Sequence, residues 1–256
     1  MNTILFEYPC SDASRICLRL EKLFQHIDAH IERESIHDSH TTMCSILNVL
    51  SVIDRPDLKS KLTQVLTQLN CNLSPLIHYP NIEKDKLTQT INEINTAIDT
   101  LHYLQGRFGD QLRANPFLSH ILSHIHQPGG LCDFNTPSYR LWLLQDSSLR
   151  TEALQSWYKQ FYRLKNVTQT ILHILRGCAT HTSATFVEGI YQQGLKSNSN
   201  YHMVSIEIPK QMRIYPEISI GKHRLCIRLL HPKFSQQPED YTTFPACTLN
   251  VSLYKT

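Results

Sequence analysis

The spacing of apolar residues divides the chain into a helical stretch followed by a strand-rich one. Residues 4–8 alternate and are closed by Pro9, which predicts a short strand. Ser11 or Asp12 can cap a helix carrying Ile16, Leu20, Leu23, Phe24, Ile27 and Ile31 at mostly three- and four-residue spacings. Further helices are predicted at 42–53 and 56–69, with Asp54 as a cap and Pro56 in the first turn of the second. Residues 84–104 carry Leu87, Ile91, Ile94, Ile98 and Leu101, spaced four, three, four and three. Such a heptad-like seam fills a bundle core or a subunit interface. Residues 110–126 predict another helix, stopped by Pro128-Gly129-Gly130. Residues 137–144 and 148–176 complete the helical set, with Gly177 as a C-cap.

Beyond Gly177 the period changes to two. Residues 184–191, 203–208, 213–219, 224–230 and 248–254 are β-branched, aromatic and alternating, and 194–200 and 235–241 read as polar loops. Helices first and strands later predict an α+β fold. We expect a helical domain at 10–177 and a mostly antiparallel β domain at 178–256, with residues 3–8 a candidate strand of the same sheet.

One strand stands out. Across 222–229 polar and apolar residues alternate, so Leu225, Ile227 and Leu229 share one face and Lys222, Arg224, Cys226 and Arg228 the other. Arg224 and Arg228 then lie roughly 13 Å apart at ~3.3 Å per residue. A basic row on a rigid element suits an extended acidic peptide or a phosphate backbone. The plainer alternative is the solvated face of an antiparallel sheet.

Composition narrows the remaining chemistry. With 41% hydrophobic residues and a formal charge of +3, the chain is an ordinary globular one, and any nucleic-acid reading must rest on local patches. Its eight cysteines are scattered without a CxxC, the start lacks a signal-peptide n-region, and no apolar run reaches a membrane span. A cytosolic chain with reduced thiols is expected, in which the sequons at Asn72, Asn166 and Asn250 carry no meaning. His120, His124 and His126 form HxxxHxH, and His26, His30, His37 and His40 a looser group. Fourteen histidines in 256 residues must sometimes fall four apart. No Cys or carboxylate completes a tetrahedral set at the usual spacing, so no metal site is expected. No GxSxG, Walker A or GxGxxG occurs, and no local signature singles out a Cys/His nucleophile.

Several segments together resemble one family. These are Leu5-Phe6-Glu7 with Pro9, Arg19 and Glu21 in LRLEKL, and Asp54-Arg55. QPGGLCDFNTPSYRLWL at 127–143, Tyr191-Gln192 and YPEISIGKHRLCIR at 215–228 follow. In order and spacing they are similar to the ZapD family of proteobacterial Z-ring-associated cell-division proteins, through nearly the whole chain. The resemblance implies a non-enzymatic, cofactor-free dimer, built from a helical and a β domain and located in the cytoplasm at the midcell division site. It implies binding to the C-terminal tail of the tubulin-like protein FtsZ and bundling of its filaments. Arg224 and Arg228 match tail-binding arginines of the family, with Lys222 beside them, and Arg55 matches one from the helical side. Arg19 and Arg140 fall at positions basic in relatives and are candidates for a second filament contact. Neither a membrane nor a nucleic-acid partner is implied, although a nucleic-acid-binding module using the same basic row is the alternative. The tail would be held by charge and by strand addition at a sheet edge. The Leu87–Leu101 seam is a candidate dimer interface, with a bundle core as its alternative. Pro116 stands where a relative has arginine, and the 236–243 region is longer than in relatives.

Overall fold

The computed structural model describes residues 2–80, 82–196, 200–232 and 246–255. The fold is α+β, with helices first and antiparallel strands after them. It divides into two compact units, Ile16–Leu172 and a second formed by Met1–Arg15 with His173–Thr256.

The first unit is helical. Helix α1 (Asp12–His30) buries Ile16, Cys17, Leu20, Phe24 and Ile27 on one stripe. Helix α2 (Ile36–Ile53) begins six residues before its predicted start. Ser35 caps it by accepting from the His37 N–H, and the Thr41 and Ser45 hydroxyls bond back to carbonyls four residues earlier. Helix α3 (Leu58–Leu73) packs on α4 (Lys84–His102). The heptad-like seam lies in this packing. Leu87, Ile94 and Leu101 are buried within one chain, and Ile91 and Ile98 are half-buried. The seam is therefore bundle core, and its buried residues are closed to a second subunit.

The predicted 110–126 helix is two, α5 (Asp110–Arg113) and α6 (Pro116–His124). Pro116 pushes the preceding residue out of the helical region, and Asn115 is extended at ψ 117. The Asn115 side chain then caps α6 by accepting from the Phe117 and Leu118 N–H groups. After α7 (Pro137–Leu143), the predicted 148–176 helix is likewise split. Helices α8 (Ser147–Lys159) and α9 (Tyr162–Gly177) are separated by a tight turn in which Gln160 and Phe161 donate three residues back. Buried Arg150 ties this unit together. Its guanidinium donates to Ser39 Oγ and to the Glu34, Leu143 and Gln145 carbonyls. Gly177 closes α9 without a left-handed turn, as it is not among the positive-φ glycines.

Among the described residues, the second unit holds seven strands in two antiparallel sheets. Four of them, β1 (Thr3–Pro9), β2 (Ala179–Phe186), β4 (Tyr201–Pro209) and β7 (Cys247–Lys255), form a sheet ordered β1-β4-β7-β2. The N-terminal strand thus joins the C-terminal sheet, opposite β4 from Thr3↔Pro209 to Pro9↔Met203. The other three, β3 (Ile190–Gly194), β5 (Tyr215–Ile220) and β6 (Arg224–Leu230), form a sheet ordered β3-β6-β5. Ile206, Val251 and Phe186 from the first sheet and Leu225, Ile227 and Leu229 from the second share one apolar core. The Arg176 guanidinium at the end of α9 grips the Glu7 carboxylate of β1 through two 2.8 Å hydrogen bonds.

The single strand predicted at 184–191 is divided between the two sheets. Val187 and Ile190 exchange both backbone hydrogen bonds around Glu188 (φ 51) and Gly189 (φ 73). Two positive φ values make this a type I′ turn, which glycine at the second position favours. The predicted 213–219 strand starts late, at Tyr215, because Arg213 is left-handed at φ 49. Its partner strand was expected as observed. The predicted loop at 235–241 and the extended 236–243 region lie outside the described residues.

Candidate functional site

The basic row is borne by the central strand of the three-stranded sheet. Leu225, Ile227 and Leu229 point into the core at 0–2% exposure, while Arg224 and Arg228 face solvent. Both neighbours are paired along the row. Arg224 lies opposite Gly194 of β3, and Arg228 opposite Ile190 of β3 and Glu217 of β5. Strand addition onto β6 itself is therefore closed, because its backbone already bonds on both sides. A ligand reaches the arginines through side chains, and an added strand would need the outer edge of β3 or β5.

Lys222 is displaced from its predicted place in the row. It sits with His223 in the two-residue turn between β5 and β6, closed by the Gly221 N–H donating to the Arg224 carbonyl at 2.9 Å. Its ammonium belongs to the hairpin tip, at the Arg224 end of the face.

Two neighbours of the arginines were not foreseen. The Arg228 Nη1 lies 3.7 Å from the Glu217 Oε2, with both side chains more than half exposed. The Arg224 Nη1 donates to the Gln192 Oε1 at 3.4 Å, a long and weak contact. The hairpin held the clue to Glu217. A two-residue turn at Lys222-His223 pairs Ile220 with Leu225, and so Glu217 with Arg228. Around Arg224 the sheet leaves an open basin of about 620 Å³, lined by Gln192, Ser219, Gly221, His223, Arg224 and Cys226.

The other candidate arginines lie in the helical unit. Arg55 follows α2, its N–H donating to the Ile53 carbonyl, and its Nε stands 3.4 Å from Asp57 Oδ1. Asp57 also holds Lys61 at 2.6 Å. That hydrogen bond, with the Arg55 charge behind it, keeps the Asp57 carboxyl below its usual range. Arg19 is exposed on α1, and Arg140 is exposed on α7 with its Nε 3.5 Å from Asp133 Oδ2. Pro116 opens α6 as its first residue, a place where a missing N–H costs nothing.

Several histidines and thiols make structural contacts. His120 and His124 have ring centroids 4.4 Å apart, with the His124 Nδ1 on the His120 carbonyl and Ser123 Oγ. Among the described residues, no three His, Cys, Asp or Glu side chains are grouped to hold a metal ion. Cys44 lies 3.5 Å from His40 Nε2, and His40 Nδ1 contacts the Tyr139 hydroxyl at 2.9 Å. Burial raises the Cys44 pKa and lowers that of His40, so the pair favours neutral thiol and neutral imidazole over an activated thiolate. Burial likewise pushes Cys10 and Cys17 to about 12. No helix among the described residues is long and apolar enough to cross a membrane.

A family model described as a cell division protein, ZapD, matches residues 18–228, most of the chain and the whole of the basic row. The chain belongs to the ZapD family. The Cell division protein ZapD of Coxiella burnetii strain RSA 331 / Henzerling II is 42% identical to it over 228 residues, covering 89% of this chain and 88% of the relative. The protein of the same name from strain RSA 493 / Nine Mile phase I matches to the same extent. Membership assigns this ZapD-family chain to cell division.

Proposed function

We propose that this ZapD-family chain is a non-enzymatic cell-division factor that binds the C-terminal tail of FtsZ and, as a dimer, crosslinks FtsZ filaments at the cytoplasmic division site. The observation that carries the reading is the pair Arg224 and Arg228, solvent-facing on a strand whose opposite face is core. The rigid sheet fixes their separation, and the charges set encounter rate and register for an acidic segment. Lys222 adds a cation at the hairpin tip. Arg55 is a further tail-binding candidate, and Arg19 and Arg140 make a second filament contact. One tail site can decorate a filament but cannot join two, so bundling requires two sites per particle, which a symmetric dimer supplies.

The test is co-sedimentation with polymerised FtsZ, with and without its tail, in the presence of excess random DNA duplex. Pelleting and bundling that need the tail and ignore the duplex are expected. Pelleting independent of the tail would overturn the site. Loss of pelleting to the duplex, with direct duplex binding, would favour nucleic acid instead. A variant made monomeric should keep binding the isolated tail peptide and lose bundling.

A further inference from the structure

We propose that the open face of the three-stranded sheet is bipartite. Its Arg224 end takes a carboxylate, and its opposite end, formed by Tyr215, Leu230 and Ile190, takes a large apolar side chain of the same extended peptide. This rests on the reading of that face as the tail site and adds a second subsite to it.

The antiparallel register lays the face out as a grid. Directly paired residues share a face, so the outward side chains stand in rows across β3, β6 and β5. One row is Gly194, Arg224 and Gly221, the next Gln192, Cys226 and Ser219, and the third Ile190, Arg228 and Glu217. Beyond it Tyr215 lies opposite Leu230. The two ends differ in kind. At the Arg224 end the flanking positions are glycines, and a Cβ built at Gly194 would meet nothing within 4 Å. The missing side chains leave the basin beside the guanidinium open to a ligand group.

At the other end Tyr215 and Ile190 are each 41% exposed and Leu230 is half-buried. Tyr215 is the direct neighbour of Leu230, and Ile190 is its diagonal neighbour, within reach of long side chains. Single exposed apolar residues are ordinary. Three adjoining ones on the solvent side of an antiparallel sheet, where polar residues are the rule, form a surface that gains by being covered. The cationic end selects an acidic occupant by charge complementarity. Glu217, beside the apolar end, partly offsets the charge of Arg228, so the Arg224 end is the more cationic of the two and sets the order of the two groups. From Arg224 to Arg228 and Leu230 is four to six residues of strand, about 13–20 Å. An extended ligand therefore presents its acid and its apolar residue roughly four to six positions apart.

The test uses a labelled FtsZ tail peptide and a version with its large apolar side chains changed to serine. Both are titrated against wild type, Ile190→Ser, Tyr215→Ser and Arg224→Gln at low and physiological salt, with melting curves alongside. Ile190→Ser and Tyr215→Ser should each weaken the natural peptide by about three- to tenfold, the worth of partly covering one such side chain. They should leave the weaker binding of the serine peptide and its salt dependence unchanged. Arg224→Gln should weaken both peptides and flatten the salt dependence. A serine variant that had unfolded would lose both peptides, which separates misfolding from loss of the subsite. Full affinity of both serine variants for the natural peptide, with Arg224→Gln impaired, would overturn the apolar subsite and leave the tail reading standing. Failure of wild type to bind either peptide at low salt would overturn the tail reading and the subsite together.

Discussion

Glu217→Gln should tighten binding of an acidic tail, because Glu217 competes with the ligand for Arg228. Its Oε2 lies 3.7 Å from the guanidinium, across the β5–β6 register. At that distance two unit charges in water attract by about 1 kcal/mol, and exposed pairs measure ~0.2–1 kcal/mol after entropy and screening. With both side chains more than half exposed, the lower range applies. An incoming carboxylate must displace Glu217 or share Arg228 with it. Removing the charge while keeping the shape should return that energy to the ligand, a gain of about 1.5- to 5-fold in affinity at low ionic strength. The gain should shrink at physiological salt, because an exposed ion pair is weakened by screening. Fold stability should move by no more than about 0.5 kcal/mol, since the pair is at the surface. Fluorescence anisotropy of the labelled tail peptide, beside urea unfolding of both proteins, measures the two quantities. Unchanged affinity would show that the ligand does not use Arg228, and weakened affinity with unchanged stability would refute the competition outright.

Arg224→Glu and Arg228→Glu should each weaken tail binding by more than the ~1.5–3 kcal/mol of one charge-assisted contact, with normal circular dichroism, because both side chains point away from the core. Calorimetric titration giving wild-type affinity for both would refute the site. Arg55→Glu should also weaken binding, and Asp57→Asn, which removes the carboxylate 3.4 Å from the Arg55 Nε, should not; peptide titration of the pair checks whether Arg55 acts directly. Arg176→Ala should lower unfolding stability by about 1–3 kcal/mol by leaving the mostly buried Glu7 without its two-bond partner, measured as a shift in the urea midpoint. Burial, then the His37 charge, lowers the His40 pKa below 6.5. Above pH 6.5 neither state binds that proton; as pH falls through 6.5 the unfolded chain is protonated first, so stability should decline on the acid side. His40→Gln should flatten this decline in urea midpoints taken from neutral pH downward, with the similarly shifted His202 contributing part of what remains.

The elements that were legible in the sequence are those set by short-range rules. The α1 stripe from Ile16 to Ile27, the alternation across β6 and the helix-then-strand order follow from side-chain periods that a few neighbouring residues determine. Local chemistry could also have shown what was overlooked. Asn115-Pro116 is a helix stop and start, and Glu188-Gly189 is a hairpin turn. In both cases the apolar period carried on through a break that backbone sterics required. The α4 seam marks a different limit, since one pattern serves a bundle core and a dimer interface. The packing of α3 on α4 decided for the core.

By itself the sequence determined that Arg224 and Arg228 share an outward face, because alternation on a strand with Leu225, Ile227 and Leu229 permits nothing else. Only the tertiary structure decided what stands around them. It made β6 the middle strand, put Glu217 opposite Arg228, left Arg224 between two glycines and moved Lys222 into the turn. It also carried β1 across some two hundred residues of chain to pair with β4. Those outcomes depend on register and strand order, which are fixed when distant segments bury their apolar faces in one core. A side chain's face is a local property, and its neighbours on that face are not.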